Sequence, residues 1–92
     1  MQFEWDEPKN QGNQQKHGFA FEDAWRVLTA PHVSIPTHRN EEPRTIAIGM
    51  LHDKIVTMVY TMRGDQLYRI ISIRRARNDE EKTYYAYLDT LR

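Results

Sequence analysis

The sequence predicts an α+β fold in which a small antiparallel sheet of three to four strands carries two N-terminal helices and a C-terminal helix. Two observations lead to this prediction. Three apolar runs separated by turn residues occupy the middle of the chain, and segments with helical spacing lie on both sides of them. The chain has 92 residues, 39% of them hydrophobic, which is enough for one core, so residues 1–92 are predicted to form a single domain.

The N-terminal part of the chain contains the signals for two helices. Residues 3–5 are predicted to form a short strand or anchor, after which Asp6 is a suitable N-cap and Gly18 a suitable stop for the first helix. This helix has no large apolar residue, so either its ends are anchored by Trp5 and Phe19 or it is a working surface. The second helix has the spacing of a core helix at Phe21, Ala24, Trp25 and Leu28.

Three apolar runs predict adjacent strands. Residues 44–51 alternate between large and small side chains, while residues 54–62 are apolar on nearly both faces and suit a central strand. Residues 67–75 form the third run, which is interrupted by arginines. The segment before the runs, residues 31–43, is rich in Pro, His, Asn and Glu and is predicted to be a loop or an edge strand.

Strict alternation in the third run places Arg69 on the same face as Ile71, and Arg74 on the opposite face. After this run, Asn78 and Glu81 have the spacing of a capping box that opens the last helix. The apolar stripe of that helix is predicted to consist of Tyr84, Tyr87, Leu88 and Leu91.

The formal net charge of zero hides an uneven distribution of charge. Residues 1–24 carry five acids against two lysines, whereas residues 63–77 carry five arginines against one acid. An anionic partner would therefore bind at residues 63–77. The alternative is that these arginines form a solvated face or pair with the acidic N-terminal region.

Several classes of protein are excluded by composition. The chain has no cysteine, so it has neither a disulfide framework nor a thiolate metal site. Its four histidines lack a tight ligand spacing, so we expect no bound metal and no cofactor. No segment has the length and apolarity of a membrane span or a secretory signal, and we expect a cytoplasmic protein that makes no membrane contact.

Two motifs resemble those of a known family. The string FEWD, followed by Lys9, Asn13, Lys16-His17-Gly18 and Phe21-Glu22, and the later strings VYTMRGD and RIISIRRA are similar to the BrnT toxins of bacterial toxin-antitoxin systems. The similarity spans residues 3–77. It implies a RelE-like fold, endoribonuclease activity that arrests translation, and neutralisation by a BrnA-like ribbon-helix-helix antitoxin. It also implies that the toxin reaches operator DNA only through that antitoxin.

An RNA substrate needs no metal for its cleavage, because the 2'-hydroxyl is itself the nucleophile and the protein needs to supply only a base, an acid and positive charge. Arginine binds two phosphate oxygens at once and stays protonated, so Arg69 and Arg74 are the first candidates for the catalytic charge, with Arg63 at the turn as a third. The alternative for Arg69 is an ion pair that holds a helix to the sheet through Glu22 or Asp23.

Other side chains complete the predicted site. His17 is the candidate acid or base because it titrates near neutral pH, although a histidine before a helix-ending glycine also caps helices. Tyr60 would act if a neighbouring arginine lowered its pKa, and otherwise belongs to the core. The residues predicted to grip flanking RNA phosphates are Lys9, Lys16, Arg75 and Arg77. The alternative function is a binding module without turnover, whose arginine-rich face docks the antitoxin and co-represses the operon.

Overall fold

The computed structural model describes residues 1–92 as one sheet with helices on both of its faces. In chain order the elements are β1 (Gln2–Glu4), α1 (Glu7–His17), a 3₁₀ turn (Phe21–Asp23), α2 (Ala24–Leu28), β2 (His32–Arg39), β3 (Glu42–Leu51), β4 (Lys54–Arg63), β5 (Leu67–Arg75) and α3 (Asn78–Asp89). The longest helix, α3, has twelve residues, and no helix has the length and apolarity needed to cross a membrane.

The sheet has five strands in the order β1-β5-β4-β3-β2, and it is mixed because β1 runs parallel to β5. The prediction of a three- to four-stranded antiparallel sheet with two N-terminal helices is therefore wrong. β1 has only three residues, too few for a periodic signal, and the proline-containing β2 pairs with β3 because an edge strand needs hydrogen bonds on one side only. Only α1 is N-terminal, and the predicted second helix is a 3₁₀ turn followed by the five residues of α2.

Other sequence predictions are confirmed. β4 is the central strand, as its two-sided apolarity predicts, and Asp6 and Gly18 cap α1. The predicted cap of α3 is wrong by one residue, because the N–H of Arg77 donates to Glu80 Oε1 at 2.8 Å. The shift matters for the site described below, since it turns the Glu80 side chain toward the sheet.

The two faces of the sheet bury separate cores. On the first face, Phe21 and Val27 from the 3₁₀ turn and α2 pack against Met58 and Ile73. On the second face, Tyr84 of α3 is buried in a smaller cluster of residues from β3 and β4. Because α3 contacts mainly β2 and β3, it leaves part of the second face without a helix over it. That uncovered part is the surface on which the charged residues lie.

Two buried asparagines hold α1, which has no apolar stripe. Asn13 Nδ2 donates to the carbonyls of Phe19 and Ile73 at 2.8 and 2.9 Å, and its Oδ1 accepts from the Ile73 N–H at 3.2 Å. Asn10 Oδ1 accepts from the N–H of Phe21 at 2.8 Å. The helix is thus attached by amide hydrogen bonds, and these continue the edge of β5 beyond the short β1.

Trp25 is the clearest error in the predicted core. Its helical spacing places it among the buried residues, yet it is 45% exposed. α2 has only five residues, so a single turn faces the sheet, and Ala24 and Val27 occupy that face. The Trp25 ring instead lies against the guanidinium of Arg26, whose central carbon is 4.7 Å from the ring centre.

Candidate functional site

A β-bulge in β5 places Arg69 and Arg74 on the same face of the sheet. Val59 pairs with Ser72 and the next residue, Tyr60, pairs with Ile70, so Ile71 has no partner. Arg69 therefore lies opposite Thr61 and Arg74 opposite Thr57, and these two threonines share one face of β4. The prediction that Arg69 and Arg74 lie on opposite faces is wrong, because strict alternation holds only in a strand without a bulge.

A row of polar side chains crosses all five strands on the uncovered part of the second face. We call it the polar row, and its members are Thr37, Arg44, Thr61, Arg69 and Glu4. Their order follows from the strand register: Thr37 pairs with Arg44, Thr61 with Arg69, and Arg69 with Glu4. Tyr60 pairs with Thr45, so the next residue of β4, Thr61, lies beside Arg44 of β3. The Thr61 hydroxyl donates to the Pro43 carbonyl at 2.7 Å.

Two guanidinium groups flank the carboxylate of Glu4 at one end of the polar row. Arg69 Nη1 donates to Glu4 Oε2, and Arg63 Nε lies 3.8 Å from the same oxygen. The Arg63 side chain is 58% exposed, while those of Glu4 and Arg69 are about one-third exposed. A solvent-accessible carboxylate between two arginines can accept a proton while the arginines bind phosphate oxygens.

Glu4 is a residue that sequence reasoning missed. Its signal is a single charge within the otherwise apolar Phe-Glu-Trp string of the first strand. Neither Glu22 nor Asp23, the two acids expected to pair with Arg69, does so. Glu22 accepts from Asn10 Nδ2 at 2.8 Å, and Asp23 lies 3.5 Å from Arg26 Nε.

Arg74 is held by a different carboxylate, at the covered end of the second face. Its Nη1 and Nη2 donate to the two oxygens of Glu80 at 2.8 and 2.9 Å, and the Thr57 hydroxyl donates to Glu80 Oε1 at 2.9 Å. The hydrogen bonds from Arg74, assisted by those from Arg77 N–H and Thr57, lower the pKa of Glu80 to about 2. Along β4, Thr57 and Thr61 are four residues apart, so Arg74 lies about 13 Å from Arg69. Arg74 therefore attaches α3 to the sheet.

The remaining predicted residues lie elsewhere. Lys9, Lys16 and His17 are exposed on α1 and form no ion pair or side-chain hydrogen bond. α1 has eleven residues and is about 16 Å long, and His17 lies at its end away from Glu4. Arg75 and Arg77 are exposed at the end of β5 and the start of α3. The structure thus brings Arg63 and Arg69 together and leaves Lys16 and His17, at the far end of α1, apart from them.

Tyr60 lies on the first face, within the core. Its ring centre is 5.2 Å from that of Tyr68, and burial raises the pKa of its hydroxyl. The predicted condition for a catalytic role was a pKa lowered by a neighbouring arginine, and the direction found is the opposite. The contacts of Tyr60 are those of a core residue.

A family model described as the ribonuclease toxin BrnT of type II toxin-antitoxin systems matches residues 5–80. The chain belongs to the BrnT family. The crystal structure of the Brucella abortus ribonuclease toxin BrnT is similar to it, with a TM-score of 0.72 and 31% sequence identity, covering 85% of this chain and 99% of that one. A search of the curated proteins finds no significant match. The resemblance seen in the sequence is thus confirmed, and membership of the BrnT family implies a protein antitoxin as partner.

The ion pair of Glu80 predicts an acid-sensitive stability for this BrnT-family chain. The pKa of Glu80 is about 2 in the folded protein against an ordinary value of 4.5, so the unfolded chain binds the proton more tightly. The stabilisation is complete above pH 4.5 and is lost as the pH falls toward 2. We expect a contribution of about 1 to 2 kcal/mol, since solvent still reaches the pair.

Urea unfolding of the wild type and of Glu80→Gln at pH 7 and pH 3 measures this contribution. The wild type should lose more unfolding free energy between the two pH values than the variant does. Glu81→Gln is the matched control, because the Glu81 carboxylate forms no ion pair. Equal pH dependence in the wild type and Glu80→Gln would contradict the assignment.

Proposed function

We propose that the protein is a metal-independent endoribonuclease that cleaves RNA through attack of the 2'-hydroxyl and thereby arrests translation. The observation that carries the proposal is the arrangement of Arg63 and Arg69 around Glu4 on an uncovered part of the sheet. The family description, a ribonuclease toxin, supports RNA as the substrate. All three side chains project from strands, which hold a site more rigidly than loops do.

In the proposed reaction, Glu4 accepts the proton of the 2'-hydroxyl as the 2'-oxygen bonds to phosphorus. The bond from phosphorus to the 5'-oxygen then breaks, and the departing oxygen takes up a proton. Arg69 and Arg63 stabilise the additional negative charge of the five-coordinate intermediate, where preorganised donors have their largest effect. The products end in a 2',3'-cyclic phosphate and a 5'-hydroxyl.

The roles of the other predicted residues remain predictions. The contacts of Arg74 support a positioning role, because Glu80 already occupies both of its terminal nitrogens. His17 stays the predicted acid or base, but it lies at the end of α1 away from Glu4, so in this reaction the departing oxygen takes its proton from water. Lys9, Lys16, Arg75 and Arg77 are free of carboxylate partners and can bind RNA on either side of the cleaved bond.

Cleavage of a single-stranded RNA in the presence of EDTA tests the proposal. We expect turnover to be unchanged by EDTA and the products to carry 2',3'-cyclic phosphate ends. The matched control is an RNA of the same sequence with a 2'-O-methyl group at the cleaved position, which should be resistant. A requirement for a divalent cation, or products with 3'-hydroxyl ends, would overturn the mechanism.

A ribbon-helix-helix antitoxin is the proposed partner, and the toxin would contact operator DNA only through it. The alternative function is docking without turnover. It is favoured by the exposed Arg75 and Arg77, which have no carboxylate partner and can bind an acidic segment. Purified protein that forms a stoichiometric complex with antitoxin but never cleaves RNA would select this alternative.

A further inference from the structure

Arg44 is a partly buried arginine whose guanidinium lacks a hydrogen-bonded carboxylate. Its side chain is 22% exposed, and its Nε is buried without a hydrogen-bond partner. The nearest acidic oxygen, Glu42 Oε1, lies 3.7 Å away on a side chain that is 46% exposed. Arg69 and Arg74, of similar burial, each have a close carboxylate. Since a buried cation is costly unless paired, Arg44 is suited to an anion supplied from outside.

A cleft of about 230 Å³ opens beside Arg44, where β2 and β4 end and β3 begins. Its lining residues, of which one is hydrophobic and none is acidic, are Pro36, Thr37, His38, Pro43, Arg44, Thr45, Thr61 and Met62. On the face of the sheet that Arg44 shares with Thr37, the lining thus supplies a guanidinium and a threonine hydroxyl. This chemistry favours an anion, and the cleft is smaller than most sites for drug-sized ligands, so it suits a single phosphate group.

The cleft continues the polar row away from Glu4. Thr61 belongs to both, because it lies opposite Arg69 and also lines the cleft. Arg44 is two strands from Arg69, which corresponds to about 10 Å across the sheet. Phosphates one or two nucleotides apart on a single RNA strand can span this separation.

We infer that the Arg44 cleft is a second phosphate subsite, which holds a phosphodiester one or two nucleotides from the one cleaved between Arg69 and Glu4. The inference rests on the proposed function for its substrate, single-stranded RNA. The fork of Arg44 binds the phosphate oxygens. The subsite fixes the RNA strand across the sheet and takes no part in bond breaking.

Binding of a single-stranded RNA with every 2'-hydroxyl methylated tests the subsite without cleavage. By fluorescence anisotropy, Arg44→Met should weaken binding about tenfold and lower the slope of log affinity against log salt by roughly 0.7. Arg39→Met is the matched control, because it removes the same charge from the same hairpin. Arg39 is exposed and lies outside the cleft. It should change the affinity by less than about twofold.

The cleavage assay separates this inference from the proposed function. On unmodified RNA, Arg44→Met should raise KM and leave kcat unchanged, as expected for loss of uniform binding. If the wild type binds RNA through Arg44 but never cleaves it, the nuclease proposal fails and the subsite stands. If the wild type cleaves RNA and Arg44→Met binds it as tightly as the wild type does, the subsite is overturned.

Three further outcomes also overturn the subsite. The first is that Arg39→Met weakens RNA binding as much as Arg44→Met does. The second is that inorganic phosphate competes with RNA for the wild type but not for Arg44→Met, while both bind RNA with the same affinity. The third is that Arg44→Met binds the antitoxin more weakly and RNA as tightly as the wild type does. Arg44→Met removes an unpaired buried nitrogen, so its unfolding midpoint should be no lower than that of the wild type. Arg44→Lys keeps the positive charge but lacks the planar fork of the guanidinium, so its affinity for RNA should lie between those of the wild type and Arg44→Met. The test then rests on two variants.

Discussion

Replacement of Arg69 by methionine is expected to lower the rate of RNA cleavage by about 100- to 1,000-fold, the scale for loss of one preorganised donor to a transition state. The guanidinium of Arg69 lies against Glu4, so its loss removes positive charge from the reacting phosphate and frees the carboxylate. The effect should fall mainly on kcat, because the developing charge is greatest in the transition state. Single-turnover cleavage of a short RNA measures it directly.

Two matched variants show whether the loss is specific to Arg69. Arg75→Met removes the same charge from the exposed end of β5 and should change kcat by only a few-fold. Arg74→Met removes the partner of Glu80 and should lower the free energy of unfolding. The folded fraction of this variant should cleave RNA at a rate much closer to that of the wild type than Arg69→Met does. If Arg74→Met is folded and slows cleavage as much as Arg69→Met does, Arg74 is itself catalytic, as its sequence position predicts.

Local chemistry predicts the ends of α1 and the central strand from the sequence. Asp6 and Gly18 bound α1 because capping depends on the residues at the cap itself. β4 is recognised because a strand covered on both sides loses its alternation. For β1 the sequence predicts only a strand or anchor, since three residues contain no period and the partner strand, β5, is more than sixty residues away.

The arginines of the candidate site could be predicted from the sequence, but its carboxylate, Glu4, and its geometry could not. The charge of residues 63–77 and the chemistry of arginine predict Arg69 and Arg74 first and Arg63 third, whereas the pairing of Arg63 and Arg69 with Glu4 depends on the parallel register of β1. The bulge at Ile71 is decisive, because one extra residue reverses the facing of every residue beyond it. No residue near Ile71 marks the bulge in the sequence. The contact that accompanies it is the hydrogen-bonded pair of Asn13 and Ile73.

Asn13→Ala is expected to lower the unfolding free energy by about 3 kcal/mol, a large part of the stability of a small domain. The substitution leaves the Ile73 N–H, the Ile73 carbonyl and the Phe19 carbonyl without their partner. Buried polar groups left unpaired cost about 1 to 3 kcal/mol each, and alanine regains only a few tenths through helix propensity. Urea unfolding followed by circular dichroism gives the value.

Gln15→Ala is the matched control, because Gln15 is exposed on the same helix and its side chain forms no hydrogen bond; its unfolding free energy should stay within about 0.5 kcal/mol of the wild type. Asn13→Asp separates hydrogen bonding from packing. It keeps the side-chain shape but turns a carboxylate oxygen toward two carbonyls. It should therefore be less stable than the wild type at pH 7 and recover part of the difference below about pH 4, where the protonated acid can donate.

A stable Asn13→Ala variant would show that α1 is held by something other than its amides. A destabilised one links the polar helix to the polar row, since Asn13 fixes Ile73 two residues beyond the bulge. The same bonds then determine on which face Arg74 lies relative to Arg69. The sequence feature that looks least suited to folding, a helix without an apolar stripe, would thereby set the register of the strand that carries the arginines.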